Sequence, residues 1–180
     1  LFVITVLWLL PTFLPMVFEL SWHGAVGWSG YVLGASLLSY VTLVLPFWFK
    51  NANPVIFVPC DFAAAMLYLL YIDLTLGEGW FLPFAFPVAA VLGLIVTAIV
   101  TLCRYLPRGK LFVFGGALIA LGAWTQMIEI LIRVVFGVHF TVIWSLFSCA
   151  TLLVLGLMLI VIGIVRPLRE SLYKIFFIGR

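Results

Sequence analysis

The basic residues of this 180-residue chain are sorted between long apolar stretches, and this sorting constrains the fold most strongly. Eight of the nine Lys and Arg residues fall in three segments, and most acidic residues lie at the opposite ends of the apolar stretches. Because Lys and Arg near span ends stay in the cytoplasm, the pattern predicts a multi-pass protein of the plasma membrane with both termini cytoplasmic. The basic segments contain Lys50; Arg104, Arg108 and Lys110; and Arg166, Arg169, Lys174 and Arg180, and the acidic residues are Glu19, Asp73, Glu78 and Glu129.

The composition agrees with a chain whose main solvent is the lipid bilayer. Hydrophobic residues make up 67% of the sequence and charged residues only 8%, whereas a soluble domain carries about 25% charged residues. The apolar stretches are close to the ~20 residues that a helix needs to cross the hydrocarbon core. They do not alternate between apolar and polar residues as barrel strands do. We therefore predict an all-α, polytopic membrane helical bundle.

Six transmembrane helices are predicted in one domain, residues 1–180. The tail is expected to form an amphipathic helix on the inner leaflet, because its apolar residues follow helical spacing; a frayed terminus is the alternative. Since the chain begins inside an apolar run without an initiator Met, we expect it to be truncated at its N-terminus. The predicted spans are about 1–18, 27–49, 55–72, 80–103, 111–133 and 140–165, and the tail is 166–180.

A weak internal repeat suggests that the six helices form three tandem helical hairpins. The triplet Val-Leu-Gly occurs at 32–34, 91–93 and 154–156, and repeated units are known in membrane folds. Short apolar matches also arise by chance in such a composition, so this alternative stays open.

Asp61 is the first candidate functional residue, because an ionisable residue inside a span is costly unless it has a role. If the third helix begins at Pro59, Asp61 lies in its first turn, where a carboxylate is stabilised by the helix dipole. The alternative is a carboxylate that lines an inner cavity and is linked to cations or protons.

Glu129 and Arg133 are the other candidates, near the outer end of the fifth helix. Their spacing of four residues predicts an intrahelical ion pair. Such a pair explains why Arg133 can lie on the outer side, although Lys and Arg near span ends otherwise stay in the cytoplasm. The alternative is a site for an anion or another ligand.

Small residues four apart also predict close helix contacts. They are Ala89 with Gly93 on the fourth helix, and Gly116 with Ala120 on the fifth.

The sequence contains no motif that predicts catalysis, a cofactor or a metal. It has no G-x-S-x-G, H-E-x-x-H, Walker or G-x-G-x-x-G pattern. The three cysteines form no C-x-x-C pair. His23 and His139 are expected to be polar caps in separate outer loops and not metal ligands. We therefore predict a chain that is not an enzyme.

Several stretches together resemble a known family: SGYVLGA at 29–35, NPVIFVP at 53–59 and RPLRES at 166–171. They are similar to the C-terminal membrane domain of Firmicutes proteins whose N-terminus is an XRE-type helix-turn-helix. The resemblance implies a cytoplasmic DNA-binding domain ahead of this bundle, so DNA would be a partner only through that domain, which is absent here. It carries over no catalytic residues.

Two functions follow as expectations. The first is a non-enzymatic membrane sensor or anchor module of a bacterial regulatory protein, with the lipid bilayer as its partner and an unknown small-molecule ligand. The second is a small transporter or channel subunit, which with six spans would be expected to form homo-oligomers.

Overall fold

The computed structural model describes residues 2–23, 27–49, 53–106, 109–137 and 144–165. Within these ranges the secondary structure is helical and contains no strand. Lys50, His139 and the predicted tail 166–180 lie outside the described residues. The helices are α1 (Phe2–His23), α2 (Trp28–Ser39), α3 (Pro54–Leu76), α4 (Phe86–Tyr105), α5 (Lys110–Phe136) and α6 (Trp144–Ile164).

The predicted fold class is confirmed: the chain is an all-α helical bundle of a membrane protein. Five helical stretches are long and apolar enough to cross a bilayer. They expose many large apolar side chains, as a surface facing lipid requires. These stretches are Trp28–Trp48, Pro54–Leu76, Phe81–Tyr105, Lys110–Phe136 and Ser145–Ile164.

The chain divides into two compact units, Leu1–Ala85 and Phe86–Arg180. The first contains α1, α2 and α3, and the second contains α4, α5 and α6. The single domain and the three tandem hairpins stay predictions, and the two units are described separately.

In the first unit, the span that begins with α2 leaves α-helical geometry halfway. A π-helical segment, Tyr40–Val44, follows α2, and a 3₁₀ segment, Leu45–Trp48, completes the span. Pro46 has no backbone N–H and its ring collides with the carbonyl of the preceding turn in a regular α-helix. The change of helix type accommodates this proline.

The third helix begins at Pro54, one residue from the predicted start of its span and not at Pro59. Asn53 caps it, because its side chain accepts a hydrogen bond from the Val55 N–H at 3.3 Å, and Pro54 occupies the first turn, where a missing N–H costs nothing. Pro59 therefore lies inside α3. The helix ends at Gly77, whose φ of 71° is left-handed and suits glycine.

The second unit is built on a close antiparallel contact between α5 and α6. A Cβ atom added to Gly115 would lie 2.8 Å from the carbonyl oxygen of Gly156, and one added to Gly156 would lie 2.7 Å from that of Gly115. Only glycine allows the two backbones to approach this closely. Gly122 continues the same face of α5, against Cys149.

The prediction for Gly116 was wrong by one residue. A Cβ added there would meet no described atom within 4 Å, and Gly116 and Ala120 instead line an open groove between α4 and α5. On α4, Gly93 is buried, and the close helix contact at Ala89 and Gly93 stays a prediction.

Candidate functional site

Glu19 is a buried acid that joins α1 to the start of α2. The sequence suggested an outer loop after residue 18, but α1 continues to His23. The Glu19 carboxylate accepts hydrogen bonds from the backbone N–H groups of Trp28 at 3.1 Å and Ser29 at 2.8 Å. A carboxylate is stabilised at a helix N-terminus by these free N–H groups and by the helix dipole. Glu19 therefore has a structural role.

Asp73 plays a comparable part near the C-terminal end of α3. Its Oδ1 accepts a hydrogen bond from the Trp80 N–H at 2.8 Å, and its carbonyl accepts one from the Gly77 N–H at 2.8 Å. The side chain is buried. Asp73 thus orders the turn that leads into a π-helical segment, Phe81–Ala85.

Glu129 and Arg133 form the expected ion pair within α5. The Glu129 carboxylate is buried, whereas the Arg133 side chain is half exposed. The pair therefore neutralises a carboxylate that lies in the body of the bundle, and Arg133 keeps part of its surface available.

Two buried polar groups near this pair lack a hydrogen-bond partner among the described residues. They are the Nε2 of Gln126 and the Oγ of Ser145. Gln126 and Glu129 follow Gly122 on α5 at intervals of four and three residues, and Gly122 packs against Cys149 at 3.4 Å. Because α6 runs antiparallel to α5, Ser145, one turn before Cys149, lies at about the same level as Gln126, one turn after Gly122.

The position of Asp61 corrects one of our two interpretations. Because α3 begins at Pro54 and not at Pro59, Asp61 lies about two turns into the helix, and the dipole of the first turn does not stabilise it. Its Oδ1 is buried and has no hydrogen-bond partner among the described residues. The structural explanation from the helix start is therefore wrong.

Asp61 belongs to the stripe of α3 that faces the second span. Phe57, one turn before it, contacts the ring of Phe49 with centroids 5.4 Å apart. Tyr68, two turns after it, donates a hydrogen bond to the Tyr31 carbonyl at 3.0 Å. Positions 57, 61, 64 and 68 follow the alternating four- and three-residue spacing of one helix face.

A cavity of about 360 Å³ lies beside this stripe in the first unit. Ala64 and Tyr68 from α3 and Leu38 from α2 contribute to its largely apolar wall. Gly34 allows the Tyr68 ring to lie against α2, since a Cβ there would come within 2.5 Å of the ring. Asp61 lies about one turn beyond Ala64, toward the start of α3.

The described residues hold no cluster of three or more His, Cys, Asp or Glu side chains placed to bind a metal. The sequence reasoning identified Asp61, Glu129 and Arg133, and it missed the capping by Glu19. Trp-Ser occurs at 28–29 and again at 144–145, but this recurrence does not indicate that Glu19 caps α2. Ser29 and Ser145 are each only 1% exposed at the start of a helix.

No family model, curated protein or solved structure matches the chain. The family resemblance of the sequence therefore stays a prediction.

Proposed function

We propose that this chain is the non-enzymatic membrane sensor and anchor module of a bacterial regulatory protein, with its ends in the cytoplasm of the host cell. The observation that carries the proposal is the contrast in packing within the two units. The second unit has a glycine-to-glycine contact between α5 and α6, which suits an anchor. The first unit has a cavity beside a span that changes helix type.

The cavity gives the first unit a place where packing can change. Tightly packed interiors resist continuous deformation, but a cavity along α2, just before the π-helical segment, leaves room for the second span to shift against α3. Short π-helical segments within α-helices also occur frequently at functional sites. A shift of this kind would alter the cytoplasmic end of the span, and a DNA-binding domain joined to the bundle would sense it.

A cavity-filling substitution tests this proposal. Ala64→Leu adds bulk to the cavity wall, whereas Ala63→Leu adds the same bulk at the neighbouring exposed position. We expect an in-frame deletion and the Ala64→Leu allele each to change the transcript profile of the host, and Ala63→Leu to leave it unchanged. The Ala64→Leu and Ala63→Leu variants should be present in the membrane at equal amounts. A deletion strain with an unchanged profile would exclude a regulatory role.

A second candidate function is a small transporter or channel subunit, which the unpartnered carboxylate oxygen of Asp61 favours. Proteoliposomes containing the protein would then show a cation or proton flux that Asp61→Asn abolishes. Equal flux in vesicles with and without the protein would argue against this candidate.

A further inference from the structure

We propose that Asp61 and backbone carbonyls of the distorted second span form a binding site for Na⁺. The inference stands apart from the proposed function, because it concerns binding alone and not what binding controls. It rests on the buried Oδ1 of Asp61, which has no hydrogen-bond partner among the described residues, and on the loss of regular hydrogen bonding in the segment that Asp61 faces.

The segment opposite Asp61 is identified by contacts on either side. Toward the start of α3, Phe57 meets Phe49. Toward its end, Ala64 and Leu38 line the same cavity. In an antiparallel pair of helices, Asp61 must therefore face the part of the second span between Leu38 and Phe49, which consists mostly of the π-helical and 3₁₀ segments.

This segment has carbonyls that lose their regular α-helical donors. The Leu45 N–H bonds to the carbonyl of Tyr40 instead of that of Val41. Pro46 has no N–H for the carbonyl of Thr42.

The segment that Asp61 faces therefore offers the carbonyls of Val41 and Thr42 as acceptors that lack their regular donors. A buried carboxylate oxygen without a partner, such as Oδ1 of Asp61, is costly inside a membrane. The described part of the second span contains no charged side chain, and the first basic residue of the sequence is Lys50. The Tyr40 hydroxyl, which is in the same segment, lies 3.4 Å from the Thr5 hydroxyl.

Oxygen ligands with one negative charge suit a small hard monovalent cation. Membrane transporters bind Na⁺ with carbonyls of interrupted helices and with helix C-terminal ends, and irregular backbone at membrane depth is tolerated where it lines such a site. A cation here would neutralise Asp61 and supply the missing partners of the carbonyls. An anion would meet the negative charge of Asp61 and the carbonyl oxygens, so the site disfavours it.

Thermal unfolding of the full chain in nanodiscs tests the site. Because a ligand that binds only the folded state raises the Tm, Na⁺ should raise it by about 5 °C relative to choline at equal ionic strength. K⁺ should give a smaller shift. Asp61→Asn should abolish the Na⁺ effect, whereas Glu78→Gln, a change at an exposed acid, should preserve it.

A second variant separates a lost site from a lost fold. Pro46→Ala keeps the carboxylate and returns an N–H donor to the carbonyl of Thr42, so it should weaken Na⁺ binding without removing Asp61. Equal shifts with Na⁺ and choline would overturn the proposal. So would a Tm that responds to pH through Asp61 but not to Na⁺, or a Na⁺ effect that survives Asp61→Asn.

Discussion

At the scale of single residues, three acidic side chains stabilise the fold through specific contacts. Glu19, Asp73 and Glu129 are each buried, and each has a specific partner: two N–H groups of α2, the N–H of Trp80, and Arg133. Buried carboxylates require such partners because desolvation is expensive. Asp61 differs from all three, since its buried oxygen has none among the described residues.

Asp73 provides the first test at this scale. Asp73→Ala removes the acceptor for the Trp80 N–H and should lower the free energy of unfolding by ~1 kcal/mol. Asp73→Asn keeps an acceptor oxygen and should cost less. Glu78→Ala, at an exposed position in the same turn, is the control and should be nearly neutral. Thermal unfolding in detergent measures all three, and equal stabilities for the Ala variants would contradict the capping role.

The pair of Glu129 and Arg133 should show strong coupling. Arg133→Gln leaves the buried carboxylate of Glu129 unpaired and should cost ~1–3 kcal/mol. Glu129→Gln leaves Arg133, which is half exposed and can direct its charge toward the interface, so this change should cost less. The double Gln variant should be more stable than the sum of the single losses predicts. Strictly additive losses in a thermal double-mutant cycle would mean that the ion pair contributes nothing.

At the scale of helices, the sequence indicated where the spans are but not which faces meet. The stretch GGALIALGA offers small residues on several sides of α5. Spacing alone favoured Gly116 and Ala120, but Gly115 and Gly122 are the residues that meet α6. A small-residue pattern shows that close contact is sterically allowed, whereas the partner helix decides which face is used.

Two glycine substitutions on these faces should have opposite effects. Gly156→Ala places a Cβ 2.7 Å from the carbonyl of Gly115 and should destabilise the protein by ~1–3 kcal/mol through overpacking. Gly116→Ala adds a Cβ that meets no described atom within 4 Å, so it should stabilise α5 by up to ~1 kcal/mol through helix propensity. Unfolding in detergent measures both. Similar losses for the two variants would show that the α5–α6 contact is not the close one.

The start of α3 shows a second limit of sequence reasoning. Pro59 and Asn53-Pro54 are both acceptable helix starts, and only the hydrogen bond from Val55 to Asn53 identifies the true one. Because the helix begins at Pro54, Asp61 lies in the body of α3 and not in its first turn. Likewise, a proline such as Pro46 can disturb a regular α-helix, but the sequence did not indicate that a π-helical segment would precede it.

At the scale of the whole molecule, the long apolar stretches were sufficient to predict an all-α membrane bundle. Five of the expected spans correspond to helices long and apolar enough to cross a bilayer. Helix length follows from the thickness of the membrane, so this level of structure is nearly independent of packing. The grouping into two compact units depends on packing between helices, and the sequence pattern did not reveal it.

The orientation in the membrane is the last prediction, and it follows from the positions of Lys and Arg. Single cysteines are introduced at Gly109 and Glu78, in a background in which the three native cysteines are replaced. Gly77 is avoided because its left-handed backbone strains any side chain. In intact cells, an impermeant thiol reagent should label the cysteine at Glu78 and leave that at Gly109 unlabelled, because the basic α4–α5 loop is held in the cytoplasm. Permeabilised cells should label both, which controls for accessibility. The reverse pattern in intact cells would invert the topology, and the proposed Na⁺ site, near the Lys50 end of its span, would then open toward the outside.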